Sequence, residues 1–210
     1  MPKPSKEYLE ALEDSKKIHH GKLFTGLFLR SHAPFIKEIV AHLGCKTALD
    51  YGCGKGRQYQ WVMPKHGTTL EQYWGINVEK YDPAWPPFAR EPSGNFDLVI
   101  CTHTLSTIPV VDLEWVIDRL YAMSNKAIYI SERIGGEGKK IGPSELRPID
   151  WSPKQWMEIL WRPKDIEVTL ATRVIDKKGG KITSHYRLST GAWSKVTWPP
   201  NIKFMDHTWA

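Results

Sequence analysis

The chain has 210 residues, of which 41% are hydrophobic and 25% charged, and its formal net charge at pH 7 is +6. A chain of this length and composition is expected to form one globular domain with its own core, and its longest apolar runs are too short to cross a bilayer. Three cysteines without a C-x-x-C pair leave no disulfide framework, so we expect a reducing, cytoplasmic setting, with no signal peptide in the charged N-terminal stretch.

The first half of the chain alternates between helix and strand patterns. Apolar residues recur at helical spacing in residues 32–43, and Gly44 is expected to end that helix. Residues 57–63 predict a helix that must end before Pro64. In order, the predicted elements are a charged helix at 5–17, a helix at 32–43, a strand at 46–52, a helix beginning at 57 and a strand at 76–82.

The second half continues the alternation after a proline-rich interruption. Residues 83–95 contain four prolines, which exclude regular structure there. Residues 96–101 form a continuous apolar run, typical of a strand buried on both faces of a parallel sheet. The remaining predicted elements are a helix at 111–124, a strand at 126–131, a glycine-rich loop at 133–148, a helix at 152–162, and strands at 165–176 and 181–189 joined by a tight turn at 177–180.

This alternation predicts an α/β fold with a doubly wound, mostly parallel sheet and right-handed crossovers. The last two strands are predicted to form a hairpin, so the final strand is expected to be antiparallel. We expect a single domain over residues 1–210, with an N-terminal helical segment at 1–43, an α/β core at 44–190 and an irregular C-terminal strap at 191–210.

A loop with three glycines directly follows the first predicted strand. Gly52, Gly54 and Gly56 alternate with other residues in "LDYGCGKG". In a doubly wound sheet, ligands bind at the carboxyl ends of strands, where glycines let the backbone turn sharply and approach a ligand with no Cβ in the way. The spacing is not the G-x-G-x-x-G of dinucleotide sites, and Lys55 is not followed by the serine or threonine of a phosphate loop.

The segment "LDYGCGKG" resembles motif I of class I S-adenosylmethionine-dependent methyltransferases, in which an acid is followed by G-x-G-x-G after the first strand. Three further features are similar to that family: Asp82 near the end of the second strand, "FDLVICTHTLSTIP" at residues 96–109, and the closing hairpin. The resemblance covers about residues 44–190. It implies a Rossmann-like fold, S-adenosylmethionine as cofactor and methyl transfer as the reaction.

Two spacings depart from the family pattern. Asp50 and Asp82 are 32 residues apart, more than the ~20 of a plain βαβ unit, so the first crossover is expected to contain an insertion. Only 13 residues separate Asp82 from Phe96, too few for a helix and a strand. The family's third strand is therefore expected to be missing or vestigial, together with the acid that reads the adenine amine.

The resemblance implies a set of cofactor-binding residues at the carboxyl ends of three strands. Asp50 would fix the glycine loop or hold the cofactor's amino group, and Asp82 would accept hydrogen bonds from the ribose hydroxyls. The simpler alternatives are that Asp50 only ties down the loop and that Asp82, before Pro83, only forms a turn. The full set is Asp50, Tyr51, Gly52, Cys53, Gly54, Gly56, Asp82, Pro83, Cys101, Thr102 and His103.

The loop after the family's fourth strand also departs from the pattern. His103 stands where the family has Asp, and Ser106 and Thr107 replace a Glu-His pair. His103 is the candidate catalytic residue, and a buried structural histidine is the alternative. No His, Cys or Asp cluster has metal-ligand spacing, so no metal site is predicted. The candidates for substrate contacts are His20, Glu132 and Arg133; the alternatives are that His19 and His20 form a solvated pair and that Glu132 and Arg133 form an ion pair.

Residues 133–148 indicate the charge of the methyl acceptor. The glycines of this loop predict mobility, and Lys139, Lys140 and Arg147 give it positive charge. A small anionic acceptor is therefore expected, with a solvated surface loop as the alternative.

Two other functions compete with a small-molecule methyltransferase. The altered loop at His103 favours an accessory or regulatory protein that binds S-adenosylmethionine without transferring its methyl group. The positive net charge is compatible with a nucleic-acid methyltransferase. However, "WPPF" at residues 85–88 only imitates the D-P-P-Y type of motif found in base-modifying enzymes, because it follows the second strand rather than the fourth.

Overall fold

The computed structural model describes residues 3–21, 27–134, 140–141, 146–175, 181–188 and 204. The strands in these ranges are β1 (Thr47–Tyr51), β2 (Asn77–Tyr81), β3 (Phe96–Thr102), β4 (Ser124–Ile134), β5 (Glu167–Ile175) and β6 (Lys181–Arg187). They form one sheet in the order β2-β1-β3-β4-β5-β6, and every pair is parallel except β5–β6. The predicted α/β fold with a mostly parallel sheet and a C-terminal antiparallel pair is confirmed, and the arrangement is Rossmann-like.

The helices follow the apolar patterns of the sequence. In α2, Ile36 and Ile39 are buried, and Gly44 (φ 58°) ends the helix as predicted. None of the described helices is long and apolar enough to cross a membrane. The helices are α1 (Lys6–His20), α2 (Ala33–Leu43), α3 (Arg57–Gln60), α4 (Leu70–Trp74), α5 (Val110–Met123) and α6 (Pro153–Leu160), with 3-10 helices at Phe28–His32, Pro86–Phe88 and Leu105–Thr107.

Both faces of the sheet are buried against helices. On one face, Leu113 of α5 and Trp156 of α6 pack with strand residues that include Val99. On the other face, residues of α2 and α4, among them Trp74, pack with strand residues that include Leu98. Leu98 and Val99 are neighbours on β3 and both are fully buried, which explains why this strand is a continuous apolar run.

The connection from β1 to β2 contains two short helices. The helix predicted for residues 57–63 ends at Gln60, because Trp61 is extended and Met63 forms an antiparallel bridge with Thr68. A second helix, α4, then begins at a side-chain cap formed by Thr69. The turn and the extra helix are the insertion that the long spacing predicted.

No strand lies between β2 and β3, a stretch that the structure describes throughout. Instead, the Asp82 N–H donates to the Phe88 carbonyl (3.0 Å), and the Trp85 N–H donates to the Asp82 carbonyl (3.1 Å). The prolines of this segment form a compact turn, and β2 is an edge strand of the sheet. The prediction that the third strand is missing is confirmed.

Several other boundaries differ from the sequence-based prediction. Helix α1 continues to His20 rather than ending at residue 17, and β4 continues to Ile134, into the predicted loop. The turn at 177–180, residues 135–139 and 142–145 of the glycine-rich loop, and the strap at 191–210 apart from Phe204 lie outside the described residues.

Candidate functional site

The order of the sheet reverses between β1 and β3. After β1 the chain crosses to β2 on one side, and it then returns to β3 on the other side of β1. Ligands of doubly wound sheets bind outside the carboxyl ends of the strands at such a reversal, which we call the switch-point crevice. The glycine loop (residues 52–56) follows β1, and the β3 loop (residues 103–107) follows β3.

The backbone of the glycine loop requires glycine. Gly52, Gly54 and Gly56 have φ angles of 81°, 60° and 60°, a left-handed backbone that residues with a Cβ rarely adopt. The N–H groups of Gly52 and Cys53 donate to the Tyr81 carbonyl at 2.7 and 3.1 Å. These bonds fasten the loop to the end of β2.

Side chains from two neighbouring loops pack onto this loop. A Cβ added at Gly52 would collide with Thr104, and one added at Gly56 would lie 2.7 Å from a ring carbon of Phe88. Thr104 belongs to the β3 loop and Phe88 to the turn after β2. Close packing within the protein is therefore sufficient to explain why these two positions are glycine, and the explanation does not require a bound ligand.

Asp50, the acid before the loop, is fully buried. Its Oδ2 accepts hydrogen bonds from the Tyr59 hydroxyl (2.8 Å) and from Gln58 Nε2 (3.0 Å). Burial raises the pKa of Asp50 to about 7, against the opposing effect of these hydrogen bonds. Both partners lie on α3, so Asp50 ties the end of β1 to this helix. Of the two roles expected for Asp50, this geometry supports the structural tie.

Asp82 holds the glycine loop from the side of β2. Its Oδ2 accepts from the Gly54 N–H (2.9 Å), and its Oδ1 accepts from the Ala84 N–H (2.9 Å). The bond to Ala84, which spans Pro83, forms the turn that the sequence analysis gave as the simpler alternative role for Asp82. His19 Nε2 lies 3.5 Å from Asp82 Oδ2. Because a carboxylate has about four lone-pair sites, Asp82 retains capacity to accept a further hydrogen bond.

The end of α1 lies over the glycine loop and brings in a histidine that the sequence did not single out. His19 is 3% exposed, and its ring stacks on Trp85 with a centroid distance of 5.9 Å. Lys55 Nζ donates to the Gly21 carbonyl (2.6 Å), which fastens the end of the helix to the loop. His20, the predicted substrate contact, is exposed. The adjacent histidines His19 and His20 do not by themselves indicate which of them faces the interior, because this depends on where α1 packs.

The β3 loop begins with an unusual backbone conformation. His103 has a φ of 55°, and among the described residues it is the only non-glycine with a positive φ. Such a conformation costs about 1–2 kcal/mol and persists only where the surroundings enforce it. The His103 N–H donates to the Ser131 carbonyl (2.7 Å), which holds the loop against the carboxyl end of β4.

The imidazole of His103 lies in a crowded, partly buried environment. Its centroid is 4.6 Å from that of Phe28. Burial, followed by the positive charges of Arg173 and Arg133, lowers the pKa of His103 to about 4, so the ring is neutral at pH 7. Nε2 is buried and has no hydrogen-bond partner in the described part of the chain. This nitrogen is therefore available to a ligand.

Glu132 supports the β3 loop from within the protein. It is fully buried, and its Oε1 accepts from the Leu105 N–H (2.9 Å). Burial raises the pKa of Glu132 to about 7, against hydrogen bonds from Ser106. Glu132 thus holds the β3 loop from below, as Asp50 holds α3. Its neighbour Arg133 is exposed.

The other predicted cofactor-binding residues divide into two groups. Tyr51, Cys53 and Cys101 are at most 2% exposed and form part of the packing beneath the loops. Burial raises the pKa of both thiols, so neither is ionised at neutral pH. Thr102, at 8% exposure, ends β3 beside the crevice, and Pro83 lies in the turn after β2.

No protein-family model matches the chain, and no curated protein matches its sequence. The functional argument therefore depends on the fold, the motif spacing and the geometry of the crevice. In the part of the chain that the structure describes, no group of three or more His, Cys, Asp or Glu side chains is arranged to hold a metal ion.

Proposed function

We propose that this protein is an S-adenosylmethionine-dependent methyltransferase that acts on a small acceptor. The observation that carries the proposal is the position of the glycine loop, which lies at the reversal between β1 and β3 and is hydrogen-bonded to Asp82 at the end of β2. This is where a doubly wound sheet binds its ligand. The resemblance to motif I favours S-adenosylmethionine, since the glycine spacing fits neither a dinucleotide nor a phosphate loop.

The residues around the crevice fit an adenosine group. Asp82 retains acceptor capacity for a ribose hydroxyl beyond its bonds to Gly54 and Ala84. Trp85 offers a flat ring beside Asp82, and the His19 imidazole is stacked on it. We expect an adenine ring to replace this imidazole, since both are planar heteroaromatic rings. Stacking on Trp85 would supply binding energy for the base without an acid from a third strand.

When bound, S-adenosylmethionine supplies a methyl group on a positively charged sulfur, which passes to the acceptor without a covalent enzyme intermediate. The task of the protein is to align the acceptor and to exclude water, and alignment alone contributes ~7–11 kcal/mol in favourable cases. The ordered β3 loop beside the glycine loop suits this task. His103, the candidate catalytic residue, would lie beside the acceptor, but its neutral imidazole, with a pKa of about 4, is a weak base at pH 7.

An S-adenosylmethionine-binding protein without transfer activity is the second candidate. It is favoured because no carboxylate that the structure describes around the crevice is free to act as a base. Asp50 and Glu132 are fully buried, and Asp82 is hydrogen-bonded to the glycine loop. Of the candidate groups that the sequence analysis named, this leaves only His103 to accept a proton, and its pKa of about 4 makes it a weak base.

Isothermal titration calorimetry with S-adenosylmethionine and its demethylated product tests the proposal. We expect saturable binding to the wild type and about 10- to 100-fold weaker binding to Asp82→Asn, since a charge-assisted hydrogen bond contributes ~1.5–3 kcal/mol. Asp97→Asn is the matched control, because Asp97 also accepts a backbone N–H bond, from Lys46 (2.7 Å), but at the opposite end of the sheet. Absence of binding to the wild type would contradict the proposal, and equal affinities in all three proteins would remove Asp82 from the cofactor site.

Transfer of a labelled methyl group then separates the two candidates. Wild-type protein is incubated with labelled cofactor and with small-molecule, RNA and DNA fractions of a cell extract. Label in the small-molecule fraction supports the proposed enzyme, and label in RNA or DNA instead assigns a nucleic-acid methyltransferase. Cofactor binding without label in any fraction favours the binding protein.

A further inference from the structure

Two arginines lie side by side at the carboxyl ends of β4 and β5. Arg133 and Arg173 are register partners in this parallel pair, so their side chains leave the same face of the sheet from strands about 4.8 Å apart. Within the described residues, neither arginine forms an ion pair with a carboxylate. Two like charges in this position repel each other, which is unfavourable in the absence of a counter-ion.

The same face of the sheet carries a polar cluster of histidines. His32, from the turn before α2, lies with Nδ1 2.8 Å from the Tyr129 hydroxyl and Nε2 3.3 Å from Ser131 Oγ. His185 on β6 lies with Nε2 3.5 Å from the same Tyr129 hydroxyl. Tyr129 and Ser131 precede Arg133 on β4 at alternating positions, so they share its face. We give the name arginine face to the set of residues Arg133, Arg173, His32, His103, His185, Tyr129 and Ser131.

The histidines of the arginine face are uncharged at neutral pH. Burial lowers the pKa of His32 to about 3 and the pKa values of His103 and His185 to about 4. The positive charge of Arg173 contributes to the shifts of His32 and His103. Phe35 stacks on His185 at 3.8 Å and fixes its ring. The guanidinium groups therefore supply the positive charge, and the imidazoles supply neutral hydrogen-bonding groups.

We infer that the arginine face binds an oxyanion group, a carboxylate or a phosphate, between Arg133, Arg173 and His103. Guanidinium groups bind such oxygens through paired N–H donors, and these bonds are stronger than neutral ones. The buried Nε2 of His103, which has no partner among the described residues, adds a third group that a ligand oxygen would satisfy. The negative charge of the ligand would also offset the repulsion between the two arginines.

The oxyanion belongs to the methyl acceptor, a conclusion that rests on the proposed function. His103 is shared by the β3 loop and the arginine face, so an acceptor held there by its acidic group lies next to the switch-point crevice. The acceptor class is therefore a small acidic molecule. The sequence predicted an anionic acceptor from Lys139, Lys140 and Arg147, of which Lys139 lies outside the described residues. Arg133 on β4 and Arg173 on β5 support the same acceptor class, a small anionic molecule, independently of those three loop residues.

Histidine NMR of the full-length protein tests the site with inorganic phosphate and with acetate, at an ionic strength kept constant with chloride. We expect saturable shifts of the His103 and His185 ring resonances with at least one of these anions, and none with acetamide, the neutral analogue of acetate. Arg133→Gln and Arg173→Gln should each weaken binding at least tenfold. Arg90→Gln is the matched control, because it removes the same charge from an exposed position near the β2 edge and should bind as the wild type does.

The outcomes separate the alternatives. Tighter binding of phosphate assigns a phosphate-bearing acceptor, and tighter binding of acetate assigns a carboxylate. No saturable shift with either anion, or an equal loss in Arg90→Gln, overturns the inference. Arg133 is exposed, so Arg133→Gln remains informative if Arg173→Gln does not fold. Anion binding in the NMR experiment without cofactor binding in the calorimeter would support the anion site and contradict the proposed methyltransferase. Cofactor binding without anion binding would support the methyltransferase and contradict the anion site.

Discussion

Two buried carboxylates support the loops on either side of the crevice. Asp50 bonds to side chains of α3 behind the glycine loop, and Glu132 bonds to the backbone of Leu105 in the 3-10 helix of the β3 loop. Burial raises the pKa of each to about 7, so each is costly to ionise inside the protein. Asp50 is held within the protein by α3, and Asp82 is the candidate for contact with the proposed cofactor.

The pH dependence of stability should change in Asp50→Asn. Because the pKa of Asp50 is raised from 3.8 to about 7 on folding, its ionisation opposes folding. The contribution of Asp50 to the stability of the wild type should fall as pH rises from about 4 to about 7, by up to about 1.4 kcal/mol per pH unit, with no further loss from this group above about pH 7. The asparagine side chain in the variant does not ionise, and its amide oxygen can accept the hydrogen bonds from Tyr59 and Gln58.

Urea unfolding of both proteins at pH 5 and pH 8 measures this effect. The free energy of unfolding of Asp50→Asn minus that of the wild type should be more positive at pH 8 than at pH 5, because the variant is spared the cost of ionising Asp50. The same difference at both pH values would mean that Asp50 ionises as readily in the folded protein as in the unfolded chain.

At the scale of elements, three connections pack together where the third strand is missing. The glycine loop is bonded to the end of β2, the turn at Pro86–Phe88 places the Phe88 ring on Gly56, and the β3 loop places Thr104 on Gly52. Each of these contacts joins residues far apart in the sequence. The shape of the crevice therefore depends on all three connections.

Gly56→Ala should destabilise the protein more than Gly67→Ala. Both glycines have a left-handed backbone, with φ angles of 60° and 64°, but an added Cβ meets Phe88 only at Gly56 and meets nothing within 4 Å at Gly67. Gly67→Ala should cost about 1–2 kcal/mol for the backbone alone. Gly56→Ala should cost a further ~1–3 kcal/mol from the collision. Chemical denaturation in the wild-type and Phe88→Ala backgrounds measures both costs, and the extra cost should disappear with the ring. Equal costs at the two glycines would show that Phe88 does not pack on the loop.

Local signals were sufficient to predict the six strands, the longer helices and the missing strand, but not the short helix α4. The prolines in residues 83–95 exclude a strand by themselves, and the apolar run of β3 is recognisable without its neighbours. The early end of α3 was not predictable, because it depends on the bridge between Met63 and Thr68. The sequence pattern predicted a helix over residues 61–63, which are extended and lead into the turn at 64–67 instead.

At the scale of the whole molecule, residues from distant parts of the chain meet at one edge of the sheet. The switch-point crevice lies at the ends of β1 and β3, the arginine face lies at the ends of β4 and β5, and His103 lies between them. Arg173 and His185 could not be linked to this edge from the sequence, because their place depends on strand order and register. His19 was missed for a related reason, since only the packing of α1 brings it to Asp82.

A crystal structure of the protein grown with S-adenosylhomocysteine would test the central claim, that the switch-point crevice binds this cofactor, most directly. We expect the ligand to lie against residues 52–56 with a ribose hydroxyl within hydrogen-bond distance of Asp82, and we expect its adenine on Trp85 in the place of the His19 ring. Ligand density elsewhere on the protein, or an empty crevice at a saturating ligand concentration, would contradict the claim.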